Sequence, residues 1–167
     1  MVRKTTNPRS TNDAFLVAMK SLQRSAQTER GLRDKLSTRQ YNHDVVEATI
    51  SKLKETRLID DLKYAENFVS YQNRISPRGA RYLKLRLIQK GVDAEIAEQV
   101  TLGITSDHEF ELASQVSAKR LPQLDRFEPQ QRKLKLARYL AARGFAGEII
   151  YKVIGSISKD NDDEIAD

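Results

Sequence analysis

The chain has 167 residues, of which 31% are charged and 39% hydrophobic, and a net charge of +6: too polar for one large core, yet too rich in aliphatic residues for wholesale disorder. Cysteine is absent, which excludes disulfides, thiolate metal sites and a cysteine nucleophile. No apolar run reaches the roughly 18 residues that span a bilayer, and MVRKTTNPRS at the start has no apolar signal segment, so no membrane association is expected and the expected location is the cytoplasm.

Residues 1–12 read as a flexible basic N-terminus. From there the apolar spacing is helical almost throughout, and helices are expected over 13–25, 28–38, 42–56, 60–74, 77–90, 93–103, 107–120, 129–143 and 146–157. The last ten residues, SKDNDDEIAD, carry five acids against one lysine and read as a flexible acidic tail. The remaining chain is therefore strongly basic, which points to a polyanionic partner.

Between the third and fourth helices stands LIDD (58–61). Asp60 fits an N-cap, whose carboxylate accepts from free first-turn amides. Asp61 fits the first helical position, where the helix dipole favours negative charge. Ile59 and Tyr64 have the spacing of a hydrophobic staple. The alternative, paired carboxylates for acid–base or metal chemistry, needs partners, and the chain's two histidines, His43 and His108, lie in different segments. Capping is the expected role.

Next comes RISPRGARYLKLRLIQKG (74–91). Ser76-Pro77 reads as an N-cap followed by proline in the first turn. Ala80, Leu83 and Leu87 share a core face, while Arg78 and Arg81 project away from it, Lys84 flanks them and Arg74 lies just before. This is a basic ridge suited to phosphates or partner carboxylates; the plainer alternative is a solvated face. Gly91 and Gly144, each following a basic residue after an apolar run, carry the signature of a helix C-terminal turn. Further basic groups are Lys119 and Arg120 at the end of the seventh helix, and Arg132, Lys133 and Lys135 on the eighth, which begins at Glu128-Pro129. Tyr71, Tyr82 and Tyr139 lie near these charges, where they could stack on bases or simply close the core edge.

The segments 35–50, 86–100 and 139–154 repeat one another. Aligning Leu36, Leu87 and Leu140 also aligns Leu32 with Leu83 and Leu136, Tyr41 with Val92 and Phe145, and Val45 with Ile96 and Ile149. The expected architecture is all-α: three tandem three-helix repeats, over 13–57, 58–105 and 106–157, about nine helices in an elongated, curved solenoid-like array. Such an array offers a long surface and no deep cavity. No G-x-x-x-x-G-K-[ST], G-x-S-x-G or H-E-x-x-H is present, so no catalytic residue, metal, cofactor or small-molecule substrate is expected, and the chain is read as a monomeric binding protein.

L-I-D-D-x-x-Y-A-x-x-F (58–68), G-x-x-x-L-x-x-x-L-x-x-K-G-V (79–92) and Y-L-x-x-R-G-F (139–145), in this order, resemble the RecX family of bacterial recombination regulators over about residues 14–157. Arg39-Gln40-Tyr41 departs from the family's Lys-Gly turn. The resemblance implies a non-enzymatic protein that binds RecA and the RecA filament on single-stranded DNA, inhibits ATP hydrolysis, strand exchange and co-protease activity, and so modulates recombination, DNA repair and the SOS response. Weak, unselective DNA binding goes with it. The alternative is a duplex DNA-binding protein that uses its units like helix-turn-helix motifs. Asp60, Asp61, Gly91 and Gly144 are expected to shape the fold, and the basic ridges to make the contacts.

Overall fold

The computed structural model describes residues 10–163, and no strand occurs among them. The helices are α1 (Thr11–Leu22), α2 (Glu29–Thr38), α3 (His43–Glu55), α4 (Asp61–Ile75), α5 (Ala80–Gln89), α6 (Ala94–Leu102), α7 (Ser106–Arg120), α8 (Pro129–Ala142) and α9 (Gly147–Asp163), with a 3-10 turn at Leu121–Leu124 after α7. Of the flexible ends expected from sequence, residues 1–9 and 164–167 lie outside the described residues. Where the structure does reach them it is helical: α1 starts at Thr11, and α9 continues to Asp163 because no proline or glycine interrupts SKDNDD.

Three separate cores form, one each from α1–α3, α4–α6 and α7–α9. The middle helix of every unit supplies a fully buried leucine pair: Leu32 and Leu36, Leu83 and Leu87, Leu136 and Leu140. Tyr41, Val92 and Phe145 then turn inward just after that helix. The third helices keep this pattern with one difference. At the position of Val45, Ile96 and Ile149, α3 and α6 bury instead the next residue, Val46 or Ala97, whereas α9 buries Ile149 itself. Ile149, Ile150, Val153 and Ile154 give α9 two adjacent apolar stripes to choose from. Thr101, which falls where the first unit has Ile50, is buried with its hydroxyl donating to the Ala97 carbonyl at 2.8 Å, so no polar group is left unmet.

α5 starts at Ala80 rather than at 77. Ser76 ends α4, and Gly79 is the residue that precedes α5. The reason lies in the neighbouring unit: the Gly79 amide donates to the Arg143 carbonyl at 3.0 Å, and the Ala80 amide donates to the Glu109 carboxylate at 3.2 Å. These tertiary bonds outweigh the local Ser-Pro signal.

The same junction occurs between the first and second units. Thr28, which caps α2 through the Gly31 amide at 3.1 Å, donates its hydroxyl to the Lys90 carbonyl at 2.7 Å. The Glu29 amide donates to Asp61 at 2.9 Å. Thus α2 begins where α5 ends, and α5 begins where α8 ends. Each contact joins the positive end of one helix dipole to the negative end of the next, and a carboxylate from the following unit (Asp61 or Glu109) sits at the amino end. Gly91 and Gly144, at φ +91° and +83°, complete these joints. A Cβ on Gly91 would lie 2.8 Å from Arg30 Cβ, and one on Gly144 would lie 2.5 Å from the Tyr82 amide nitrogen.

A candidate polyanion interface

Asp60 precedes α4 with extended backbone, and its carboxylate accepts from the Lys63 amide at 2.9 Å. Asp61 does not share a site with it. Asp61 turns to the amino end of α2, where burial pushes its carboxyl above the ordinary range; the Glu29 amide bond works against that and the nearby Glu29 and Asp60 charges add to it. The two aspartates therefore cap two different helices. Ile59 is buried with the first unit and Tyr64 packs against the second, and both line one groove at the junction. Among the described residues, no group of three or more His, Cys, Asp or Glu is placed to hold a metal ion, and no helix is long and apolar enough to cross a membrane.

The basic residues divide into paired and unpaired sets. In the first unit Arg33 holds Glu47 through two hydrogen bonds, at 2.7 and 3.1 Å, and reaches Glu29 at 2.6 Å. Lys54 also meets Glu29, at 2.9 Å. Burial alone would raise the Glu29 carboxyl, but its bonds to Lys54 and Arg33 overcome this and hold it below the usual range. The Arg33 bond lowers Glu47 likewise, and those bonds hold Arg33 well above its ordinary value.

The expected ridge is less uniform than the sequence suggests. Lys84 is bound to Glu98 at 2.9 Å, and Arg132 to Asp125 at 3.5 Å. Arg78 lies before α5, not on it, with its guanidinium 4.6 Å from the centre of the Tyr82 ring. Arg74 and Arg81 are exposed and have no ion pair among the described residues. Arg74 sits 5.9 Å from the Tyr71 ring.

In the third unit the cations gather around two rings. Tyr139 carries Arg143 at 4.7 Å and Arg120 at 4.9 Å. Phe127 carries Lys135 at 4.2 Å and Arg126 at 5.0 Å. Arg143 reaches back to the second unit, donating to the Pro77 carbonyl at 3.2 Å, and shares a groove with Lys119, Ile75 and Tyr139. Gly144 lies close against the Tyr82 backbone, so the arginine–tyrosine run has two parts that flank one junction: Arg78 with Tyr82, and Arg143 and Arg120 with Tyr139. Lys133 and Arg132 are apart from it, on a different flank of α8 beside a small apolar pocket of about 70 Å³. Arg126 escaped the sequence reading because it stands in the loop before α8, outside any helical periodicity; the adjacency of Arg126 and Phe127 was the available signal.

This surface is rings holding guanidinium and ammonium groups in place, without carboxylates to neutralise them. It can bind anions and offers no group arranged for bond-breaking.

Comparison with known proteins fits this architecture unit by unit. Models of the first, second and third three-helix domains of RecX match residues 14–53, 60–100 and 107–154. The regulatory protein RecX of Leuconostoc mesenteroides is 30% identical over 152 residues, which cover 91% of this chain and 57% of that protein. For the regulatory protein RecX of Clostridium botulinum strain Alaska E43 the identity is 32% over 139 residues, 82% of this chain and 65% of that protein. The chain thus spans about three-fifths of the length of these curated relatives. The crystal structure of RecX from Lactobacillus salivarius superposes with a TM-score of 0.84 at 26% identity, covering 89% of this chain and 96% of that one. A second crystal structure, of a regulatory protein RecX, gives a TM-score of 0.79 at 23% identity over 87% of this chain and 73% of that one, a likeness of fold. With all three domains of the family present in order, the chain belongs to the RecX family.

Proposed function

We propose that this chain is a non-enzymatic cytoplasmic regulator that binds RecA protein and the RecA filament on single-stranded DNA. By occupying the filament it inhibits ATP hydrolysis, strand exchange and co-protease activity, and so modulates recombination, DNA repair and the SOS response. The observation that carries the reading is the unneutralised arginine–tyrosine run across the second and third units of a RecX-family array. Three cores joined end to end present that run along one body, suited to a partner that is itself an extended polyanion.

The test is the single-stranded-DNA-dependent ATPase rate of RecA, titrated with this protein at two salt concentrations. Inhibition is expected, weaker at the higher salt because exposed charge pairs are screened. A rate unchanged at stoichiometric protein at either salt would overturn the reading, and sequence-selective duplex binding would then replace it.

A further inference from the structure

The cations of this surface are most concentrated in one place. Arg120, Arg126, Lys135 and Arg138 line an open groove of about 510 Å³ together with Phe127 and Tyr139, and no carboxylate lines it. None of the four is in an ion pair among the described residues. Arg120 bonds the neutral Gln123 side chain and keeps a buried Nε–H with no acceptor. Three of them are steadied by aromatic faces instead, Lys135 at 4.2 Å, Arg120 at 4.9 Å and Arg126 at 5.0 Å.

Building on the filament-regulator reading, we propose that this third-unit groove holds a single strand of nucleic acid, with its phosphates on the four cations. Four like charges around one groove repel one another, and ring contacts at exposed sites offset only part of that. A ligand with a charge on every unit of its backbone offsets the rest. An acidic peptide is the alternative occupant, since arginine clusters also receive acidic motifs; the placing of Phe127 and Tyr139 among the four cations favours a nucleic-acid strand over it. Cations alternating with aromatic rings are also how single strands are tracked without sequence preference. Duplex DNA is read by an element that protrudes into its groove, and this surface is concave.

The experiment measures anisotropy of a fluorescein-labelled oligothymidylate strand against sodium chloride concentration, for the unmodified protein and for Arg126→Gln/Arg138→Gln. Both side chains are exposed and unpaired, and an unchanged thermal melt would verify that the fold is kept. The slope of log affinity against log salt is expected to fall by about 1.4, two contacts at about 0.7 each for a single strand. An unchanged slope in the folded variant overturns the proposal. So does a variant that binds the strand normally but no longer binds poly-glutamate, which would make the groove an acidic-peptide site. RecA ATPase inhibition is read separately: if the slope falls while the unmodified protein fails to inhibit RecA, the groove stands and the filament reading does not.

Discussion

Gln40 occupies a position that the other units give to glycine. At the end of α2 its φ is +64°, its amide donates to the Ser37 carbonyl at 2.8 Å, and the Tyr41 amide donates to Leu36 at 3.3 Å. This is the same paired closure that Gly91 and Val92 make on Ile88 and Leu87, and that Gly144 and Phe145 make on Ala141 and Leu140. A side chain in this left-handed region costs roughly 1–2 kcal/mol that glycine avoids. Gln40→Gly is therefore expected to stabilise the protein by about 1 kcal/mol, read as a higher urea midpoint with an unchanged slope; no gain would mean that the Gln40 side chain makes a compensating contact. The turn at Arg39-Gln40-Tyr41 was visible in sequence only as a departure from pattern. Its geometry was not, because glutamine carries no local preference for positive φ.

At the scale of helices, apolar spacing identified the nine helices of the described residues but not the 3-10 turn at Leu121–Leu124, and the buried leucine pairs four residues apart marked the middle helix of each unit. What the sequence did not disclose was how one unit meets the next. Ser76-Pro77 is a sound local signal for a helix start, yet α5 waits for Gly79, whose partners come from residues more than sixty positions away. Glu109 likewise reads as an ordinary first-turn acid, and its bond to the Ala80 amide appears only in three dimensions. Gly79 has φ −71°, which any residue can adopt, so conformation does not require glycine there. Space does: a Cβ at this position would overlap the Gly144 carbonyl and the Phe145 amide. Those atoms are backbone and cannot rotate away. Gly79→Ala is expected to destabilise the junction by about 2–3 kcal/mol. Because the second and third units have separate cores, unfolding should also lose its single-transition character, with probes in the two units giving different midpoints. A single transition at the original midpoint would mean that the units yield at this joint without cost.

Across the whole molecule, charge is sorted by unit. In the first unit Glu29 and Glu47 are taken up by Arg33 and Lys54, while Lys20, Arg24, Arg39 and Arg57 stay exposed and outside any ion pair among the described residues. In the second unit Lys84 is likewise neutralised by Glu98. Unpaired cations that gather with aromatic rings run from the end of α4 into the third unit, and a count of Lys and Arg along the sequence could not have separated them, since pairing depends on which helix faces which. Arg78 belongs partly to the joint, through Tyr82 and its contact with Gly144, so replacing it would confuse binding with folding. Arg74 and Arg81 are exposed and free of ion pairs, and exposed substitutions of this kind usually move stability by less than about 0.5 kcal/mol. Arg74→Ala/Arg81→Ala should therefore melt like the unmodified protein while requiring more protein for half-inhibition of the RecA ATPase. The deficit should be largest at low salt, where long-range attraction governs encounter, and should shrink as salt rises. Arg33→Met makes the converse case: it breaks the Glu29–Arg33–Glu47 network and belongs to the stability of the first unit, so its effect should appear in the melt. If Arg74→Ala/Arg81→Ala inhibits RecA as well as the unmodified protein at both salts, the end of α4 is a solvated face and the contact surface begins at the third unit.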